Sequence, residues 1–251
     1  MVTTFAIKNM KKWFDTWFNT KYYHILYKNR DYSEAENFIS NLVNNLKIGE
    51  NDTILDLACG KGRHSIYLNK LGFNVIGVDL SKESIAFANQ YKNKKLSFFV
   101  HDMRESMPNH TFDFVFNLFT SIGYFEDENE NVKMLQSVDS YTNHNGILVI
   151  DFMNAHKVIQ NLVKSEIKII DGISFNISRD IINGFIVKTI EFTDEGENYK
   201  FQEKVQALQL SDFERYLKNT NFCIYKTVGD YNLGNFDLEK SNRLIIFAKK
   251  K

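Results

Sequence analysis

The sequence predicts an α/β fold: an open, mostly parallel sheet with helices on both faces and a small inserted antiparallel sheet. Three observations predict it. One unit, 53-TILDLACGKGRHSIYLNKLGFNVIGVDLS-81, runs from an apolar strand through a glycine-bearing turn and a helix-like stretch to a second strand ending on an acid. Units of similar size recur to about residue 152, and their short strands are nearly continuous in apolar character, as expected where both sheet faces are buried. From about residue 164 apolar and polar side chains alternate, punctuated by Asp-Gly and Asn-Gly, which favour tight hairpins.

The chain has 251 residues, enough for one well-buried core with an added layer. Lysine plus arginine and aspartate plus glutamate both number 31, so no basic excess points to a nucleic-acid partner. Hydrophobic residues make up 43%, with 22 phenylalanines and 12 tyrosines, which argues against disorder. The two cysteines, Cys59 and Cys223, are far apart and read as reduced thiols. No 18-residue apolar segment and no signal-peptide core is visible, so a cytoplasmic protein without a membrane partner is expected. The scattered histidines form no metal set.

The elements follow in order. Residues 13–30, WFDTWFNTKYYHILYKNR, repeat aromatic and apolar side chains at three- and four-residue steps, an amphipathic helix broken near Asn19 and Thr20. Residues 33–48 give a second helix, capped by Ser33 and stopped at Gly49. Strands are expected at Thr53–Leu57 and Asn74–Asp79, then a helix at 82–94 capped by Ser81, and a strand at 96–103. After a loop at 104–111 come a strand at 112–119, a loop at 120–129, a helix at about 128–142 and a strand at 147–152. Four alternating strands at 165–171, 173–180, 184–192 and 199–208 form the insert. A helix at 211–219 and strands at 222–229 and 243–250 complete the sheet. This divides the chain into an N-terminal helical segment (1–48), an α/β core (49–163 and 209–251) and the inserted sheet (164–208).

The chemistry starts at the glycine turn. Asp56 ends the first strand, Ala58, Gly60 and Gly62 lie in the turn, and Asp79, followed by Leu80, ends the second strand. Small residues let backbone amides approach a ligand, and an acid at a strand end can accept both hydroxyls of a ribose. The dinucleotide fingerprint needs a third glycine where this chain has Arg63 and His64. Asp56 would also place a carboxylate where a pyrophosphate would bind, and suits a ligand carrying an ammonium or sulfonium.

The ordered set 54-ILDLACGKG-62, 76-IGVDLS-81, 99-FVHDM-103 and 112-FDFVFNLFTSIGYF-125 resembles the class I S-adenosylmethionine-dependent methyltransferases. The resemblance implies a seven-stranded, Rossmann-like sheet whose last two strands form an antiparallel pair at its edge. It implies S-adenosyl-L-methionine as cofactor, with Asp56, Ala58, Gly60 and Gly62 around its amino-acid part, and Asp79 with Leu80 at the ribose. Asp102 and Met103 would meet the adenine, and Asn117 and Leu118 would floor the pocket. The runs 99-FVHDMRE-105 and 119-FTSIGYF-125, with the insert, look like the branch that acts on small molecules, including amino-sugar and glycine N-methyltransferases; that resemblance implies that the N-terminal segment covers the cofactor site and that the inserted sheet borders the acceptor pocket.

The expected reaction is methyl transfer to a small-molecule acceptor, most simply an amine nitrogen. Such transfer asks the protein to align a lone pair with the methyl carbon and to exclude water. Tyr124, Tyr22 and Tyr23 are the candidate orienting residues, Tyr124 foremost because its loop leaves the carboxyl end of a strand, where open sheets bind ligands. The alternatives are an NAD-dependent oxidoreductase on a Rossmann-like fold and a non-catalytic cofactor-binding scaffold. The edges of the inserted sheet offer a route to a homo-oligomer.

Overall fold

A computed structural model of the chain describes residues 13–28 and 32–251; parts of the expected N-terminal segment, 1–12 and 29–31, lie outside the described residues. The aromatic stretch forms two helices, α1 (Trp13–Trp17) and α2 (Lys21–Leu26). The break falls at the expected place, because the Thr20 side chain accepts the Tyr23 N–H and starts a new helix. Helix α3 (Tyr32–Leu46) begins one residue before Ser33, the expected cap.

The main sheet contains β1 (Thr53–Leu57), β2 (Asn74–Asp79), β3 (Leu96–Val100), β4 (Phe112–Asn117) and β5 (Thr142–Met153), all parallel. Between them lie α4 (Arg63–Lys70), α5 (Lys82–Ala88) and α6 (Glu128–Tyr141). Helix α5 is shorter than expected and tightens into a single 3-10 turn, Asn89–Tyr91. Strand β5 starts five residues before the expected apolar run, with a register irregularity against β4 between Phe112 and Phe114. A short helix, α7 (Ala155–Gln160), follows, which apolar periodicity did not reveal.

The insert is a four-stranded antiparallel sheet in sequential order: β6 (Ser165–Ile170), β7 (Ile173–Ile182), β8 (Phe185–Asp194) and β9 (Glu197–Gln206). Its turns pass through left-handed pairs, Asp171–Gly172, Asn183–Gly184 and Glu195–Gly196, as the hairpin sequences require. The chain then returns through α8 (Leu210–Leu217) to β10 (Phe222–Val228) and β11 (Arg243–Lys250). The seven-stranded order is β3-β2-β1-β4-β5-β11-β10, with β11 antiparallel to both neighbours.

Both faces of this sheet are buried. Helices α6 and α8 cover one face through Met134, Leu135, Val138 and Phe213. Helices α3, α4 and α5 cover the other through Phe38, Ile39, Leu42, Leu68 and Ile85. A third apolar cluster joins α1 and α2 to the inserted sheet, with Trp17, Tyr22 and Leu26 against Phe175, Ile190 and Phe192. Strand order reverses between β1 and β4, so the carboxyl ends of β1, β2 and β4 open a crevice, the place where sheets of this type take ligands.

Candidate active site

The turn after β1 is built from left-handed residues: φ is 64° at Ala58, 56° at Gly60 and 81° at Gly62. The Cys59 N–H donates to the Val78 carbonyl at 2.9 Å, which pins the turn to β2. At Gly60 an added Cβ would meet nothing within 4 Å, whereas at Gly62 it would fall 2.7 Å from the Phe98 ring. Gly60 therefore bares backbone, and Gly62 is glycine because α4 starts against Phe98. Asp79 ties the turn to the end of β2: its carboxylate accepts from the Gly60 N–H and the Ser81 N–H, each at 2.8 Å. Burial raises the Asp79 pKa, and those backbone hydrogen bonds oppose the rise.

A cavity of about 750 Å³ opens at this point. Ala58, Gly60, Asp79, Leu80, Asp102, Met103 and Leu118, expected around the cofactor, all line it, as do Tyr23 and Tyr124. Its remaining aromatic wall includes Phe14, Phe18 and Tyr27 from the N-terminal segment and Phe119 and Phe125 from the loop after β4. Tyr124 donates its hydroxyl proton to the Thr120 carbonyl at 2.6 Å. Desolvation raises the Asp102 pKa, but hydrogen bonds from the Arg104 side chain and N–H outweigh it and hold the carboxyl below its ordinary range.

Four expected site residues do not line the cavity. Asp56 is 1% exposed, and its Oδ2 accepts from the Ser65 N–H at 3.1 Å and the Ser65 hydroxyl at 2.5 Å. It thus caps α4 from beneath the turn, and burial lifts its pKa to about 6 against the Ser65 hydrogen bonds. Gly62 packs on Phe98, as described. Asn117 is buried and donates to the Leu57 carbonyl at 3.1 Å, joining the ends of β4 and β1. Tyr22 is held in the third cluster instead: its hydroxyl donates to Asp194 at 2.9 Å, and its ring lies 4.5 Å from Phe192 and 4.7 Å from Tyr199. An orienting role for Tyr22 is therefore set aside.

The sequence reading missed the groups that shape the wall after β4. Phe119 and Thr120 are both left-handed, with φ of 62° and 59°, a strained pair for residues with side chains. Asp151, 1% exposed on β5, accepts the Phe119 N–H at 2.8 Å and the Arg243 Nε at 2.7 Å. Arg243 also donates to the Thr120 hydroxyl at 3.0 Å, and the Tyr231 hydroxyl donates to Asp151 at 3.2 Å. The available signal was a single acid in the otherwise apolar run 147-ILVIDF-152. The inserted sheet was expected to border the acceptor pocket. Among the described residues none of β6–β9 lines the cavity. The sheet instead grips its wall: Glu203 accepts from Trp17 Nε1 at 2.7 Å and from the Tyr27 hydroxyl at 2.7 and 2.8 Å.

Residues 48–206 match the family model described as a methyltransferase domain. The chain belongs to this methyltransferase family. The methyltransferase is 30% identical over 214 residues to YqeM of Bacillus subtilis (strain 168), a methyltransferase by assignment, covering 80% of this chain and 85% of that one. It is 33% identical over 142 residues to a glycine/sarcosine N-methyltransferase of Aphanothece halophytica, covering 55% of this chain and 52% of the relative. Its fold matches the crystal structure of an S-adenosylmethionine-dependent methyltransferase from Clostridium acetobutylicum ATCC 824, with a TM-score of 0.77 and 22% identity over 91% of this chain and 96% of that one.

The methyltransferase uses S-adenosylmethionine, and its residues fit that cofactor. The bare backbone at Gly60 and the fixed Asp79 carboxylate face the same cavity as the apolar Leu80, Met103 and Leu118. The donor set does not suit a dinucleotide. Asp56 takes the Ser65 amide in the first turn of α4, and Arg63 and His64 stand where the dinucleotide fingerprint has its third glycine. Among the described residues no helix is long and apolar enough to cross a membrane.

Proposed function

We propose that the methyltransferase acts on a small molecule and that the methyl acceptor is an amine nitrogen. The observation that carries this reading is a single cavity shared by the Gly60–Asp79 turn and the aromatic residues of the N-terminal helices. At about 750 Å³ it falls in the range of roughly 300–1,000 Å³ typical of small-ligand sites. The glycine/sarcosine N-methyltransferase relative supports nitrogen as the accepting atom.

When bound, the cofactor supplies a methyl group on positively charged sulfur, already an electrophile. The protein's work is then holding and drying. Asp79 accepts from the ribose hydroxyls while its own position is fixed by the Gly60 and Ser81 amides. Asp102, kept ionised by Arg104, can only accept, which suits the adenine amino group beside Met103. Asp56 acts as a positioning residue through α4 and the turn. The faces of Phe18, Tyr23 and Tyr124 favour a cation and keep water away. Because Tyr124 gives its proton to Thr120, toward an acceptor N–H its oxygen acts as a hydrogen-bond acceptor. Tyr124 thereby orients the amine, with Tyr23 beside it, rather than removing its proton. Of the N-terminal segment, α1 and α2 serve as the cover of the site while α3 packs on the sheet; 49–163 and 209–251 serve as the catalytic core, and 164–208 as the support of the cover.

The test is a screen of small amines against alcohols of the same carbon skeleton, using cofactor labelled in the transferred methyl. The expected result is an N-methylated product with an equal yield of S-adenosylhomocysteine, and a lower kcat in Tyr124→Phe at unchanged cofactor affinity. Labelling confined to alcohols or to macromolecules would overturn the proposal.

A further inference from the structure

Asp151 and Arg243 carry buried charges that the chemistry above does not use. In the antiparallel ladder of β5 and β11, Arg243 faces Met153, two residues from Asp151. The two side chains therefore share a sheet face and meet as diagonal neighbours, joined from Arg243 Nε to the carboxylate at 2.7 Å. Among the described residues neither lines the cavity. They hold the loop that does. Phe119 and Thr120 are consecutive left-handed residues, a conformation that surrounding contacts must impose on residues with side chains. One residue fixes both amides: the Asp151 carboxylate accepts the Phe119 N–H and the Asp151 carbonyl accepts the Thr120 N–H, each at 2.8 Å. The Thr120 hydroxyl oxygen accepts from Arg243 at 3.0 Å and from the Met153 N–H at 3.1 Å. Held from behind in this way, Thr120 turns its carbonyl to the Tyr124 hydroxyl, 2.6 Å away. Tyr231 braces the clamp, donating at 3.2 Å to the Asp151 oxygen that holds Phe119, while its ring stacks on Phe38 of α3 at 4.4 Å.

We propose that Asp151 and Arg243 are positioning residues for methyl transfer, acting through Thr120 to set the direction of the Tyr124 hydroxyl. The proposal rests on the reading of Tyr124 as the residue that orients the amine. The Thr120 carbonyl fixes where the Tyr124 proton points, and so the side from which its oxygen accepts. The Gln206 N–H holds the Gly123 carbonyl at 2.7 Å, which fixes the loop on the other side of Thr120. Loosening Thr120 lets the hydroxyl swing, while the contacts of Asp79 with Gly60 and Ser81 stay as they are. Rate depends steeply on such placement, and an error of about 1 Å at a reacting group costs about 100-fold.

Arg243→Lys is the main test, because lysine keeps the charge that neutralises Asp151 but cannot bridge Asp151 and Thr120 as a planar fork. Tyr231→Phe is the milder variant, removing only the hydroxyl on Asp151. Turnover is measured on the small amine of highest yield in the labelled-methyl screen, and S-adenosylhomocysteine affinity by calorimetry. Arg243→Lys is expected to lower kcat about 10- to 100-fold and Tyr231→Phe about 3-fold, with S-adenosylhomocysteine affinity unchanged in both. Added to Tyr124→Phe, Arg243→Lys costs little more, since the hydroxyl it serves is already gone. With no acceptor present, the 13C resonance of Tyr124 Cζ, assigned by its absence from Tyr124→Phe, moves in Arg243→Lys. Circular dichroism checks folding, and Tyr231→Phe carries the same comparisons if Arg243→Lys does not fold. Losses that multiply in the double variant, an affinity that falls in step with kcat, or a Tyr124 resonance that stays in place would overturn the proposal. A Tyr124→Phe with wild-type kcat would overturn the reading of Tyr124 itself, and the proposal with it.

Discussion

Asp56 has a measurable signature in the stability of the protein. Its pKa is about 6 when folded, against about 3.9 for an unfolded chain, because burial outweighs the Ser65 hydrogen bonds. The folded state thus holds a proton that the unfolded state releases, so Asp56's contribution is fully present below about pH 4 and is lost as pH rises through about 6. Denaturant unfolding of wild type and Asp56→Asn across that window should show a smaller fall for the variant; parallel curves would mean that Asp56 does not titrate there. Asp151 contributes through a buried ion pair. It neutralises Arg243, whose side chain is 18% exposed, and removing one member of a buried pair costs about 3–5 kcal/mol. Asp151→Ala should lose stability on that scale, and a loss below about 1 kcal/mol would show that the pair does not hold the Phe119–Thr120 turn. The Asp56 effect and the Asp151 clamp were illegible in the sequence for the same reason: spacing names an acid, but only packing says whether it faces a ligand, a helix end or a buried arginine.

Among the elements, those with strong local rules were legible. The Asp171–Gly172 and Asn183–Gly184 hairpins, the Thr20 break and the Gly60 turn each follow from backbone chemistry confined to a few residues. What the elements do for one another was not legible, because it depends on contacts between distant segments. The inserted sheet reads as a border of the acceptor pocket, yet none of its described residues lines the cavity; it meets the wall through α1 and α2 and through the Gln206 N–H bond to the Gly123 carbonyl. Glu203 on β9 is 16% exposed and Lys188 beside it 14%, 3.4 Å apart, with Trp17 and Tyr27 donating to the same carboxylate. Both tryptophans of the chain lie on α1, so their fluorescence reports the docking of these helices. Glu203→Gln leaves Lys188 without its counter-charge at a cost of roughly 3 kcal/mol. The tryptophan transition in urea should move to lower denaturant by more than the circular dichroism transition. Equal shifts would show that α1 and α2 unfold only with the core.

For the molecule as a whole, the order of the motifs and the change of rhythm near residue 164 were enough for both sheets, since each rests on periodicity over many residues. The aromatic wall of the cavity draws on α1, α2 and the loop after β4, and no pattern within one segment carries the shape they make together. The Gly60–Asp79 turn is proposed to hold the cofactor at the crevice between β1, β2 and β4. Thermal unfolding with and without S-adenosylhomocysteine, on wild type and Asp79→Ala, tests it most directly. At about 100-fold above the dissociation constant, bound ligand adds roughly 2.7 kcal/mol, which raises Tm by about 5–10 °C for a chain of this size. That shift is expected in wild type and is expected to be lost in Asp79→Ala at the same ligand concentration. An equal shift in the variant, or a wild type stabilised by NAD and not by S-adenosylhomocysteine, would contradict it.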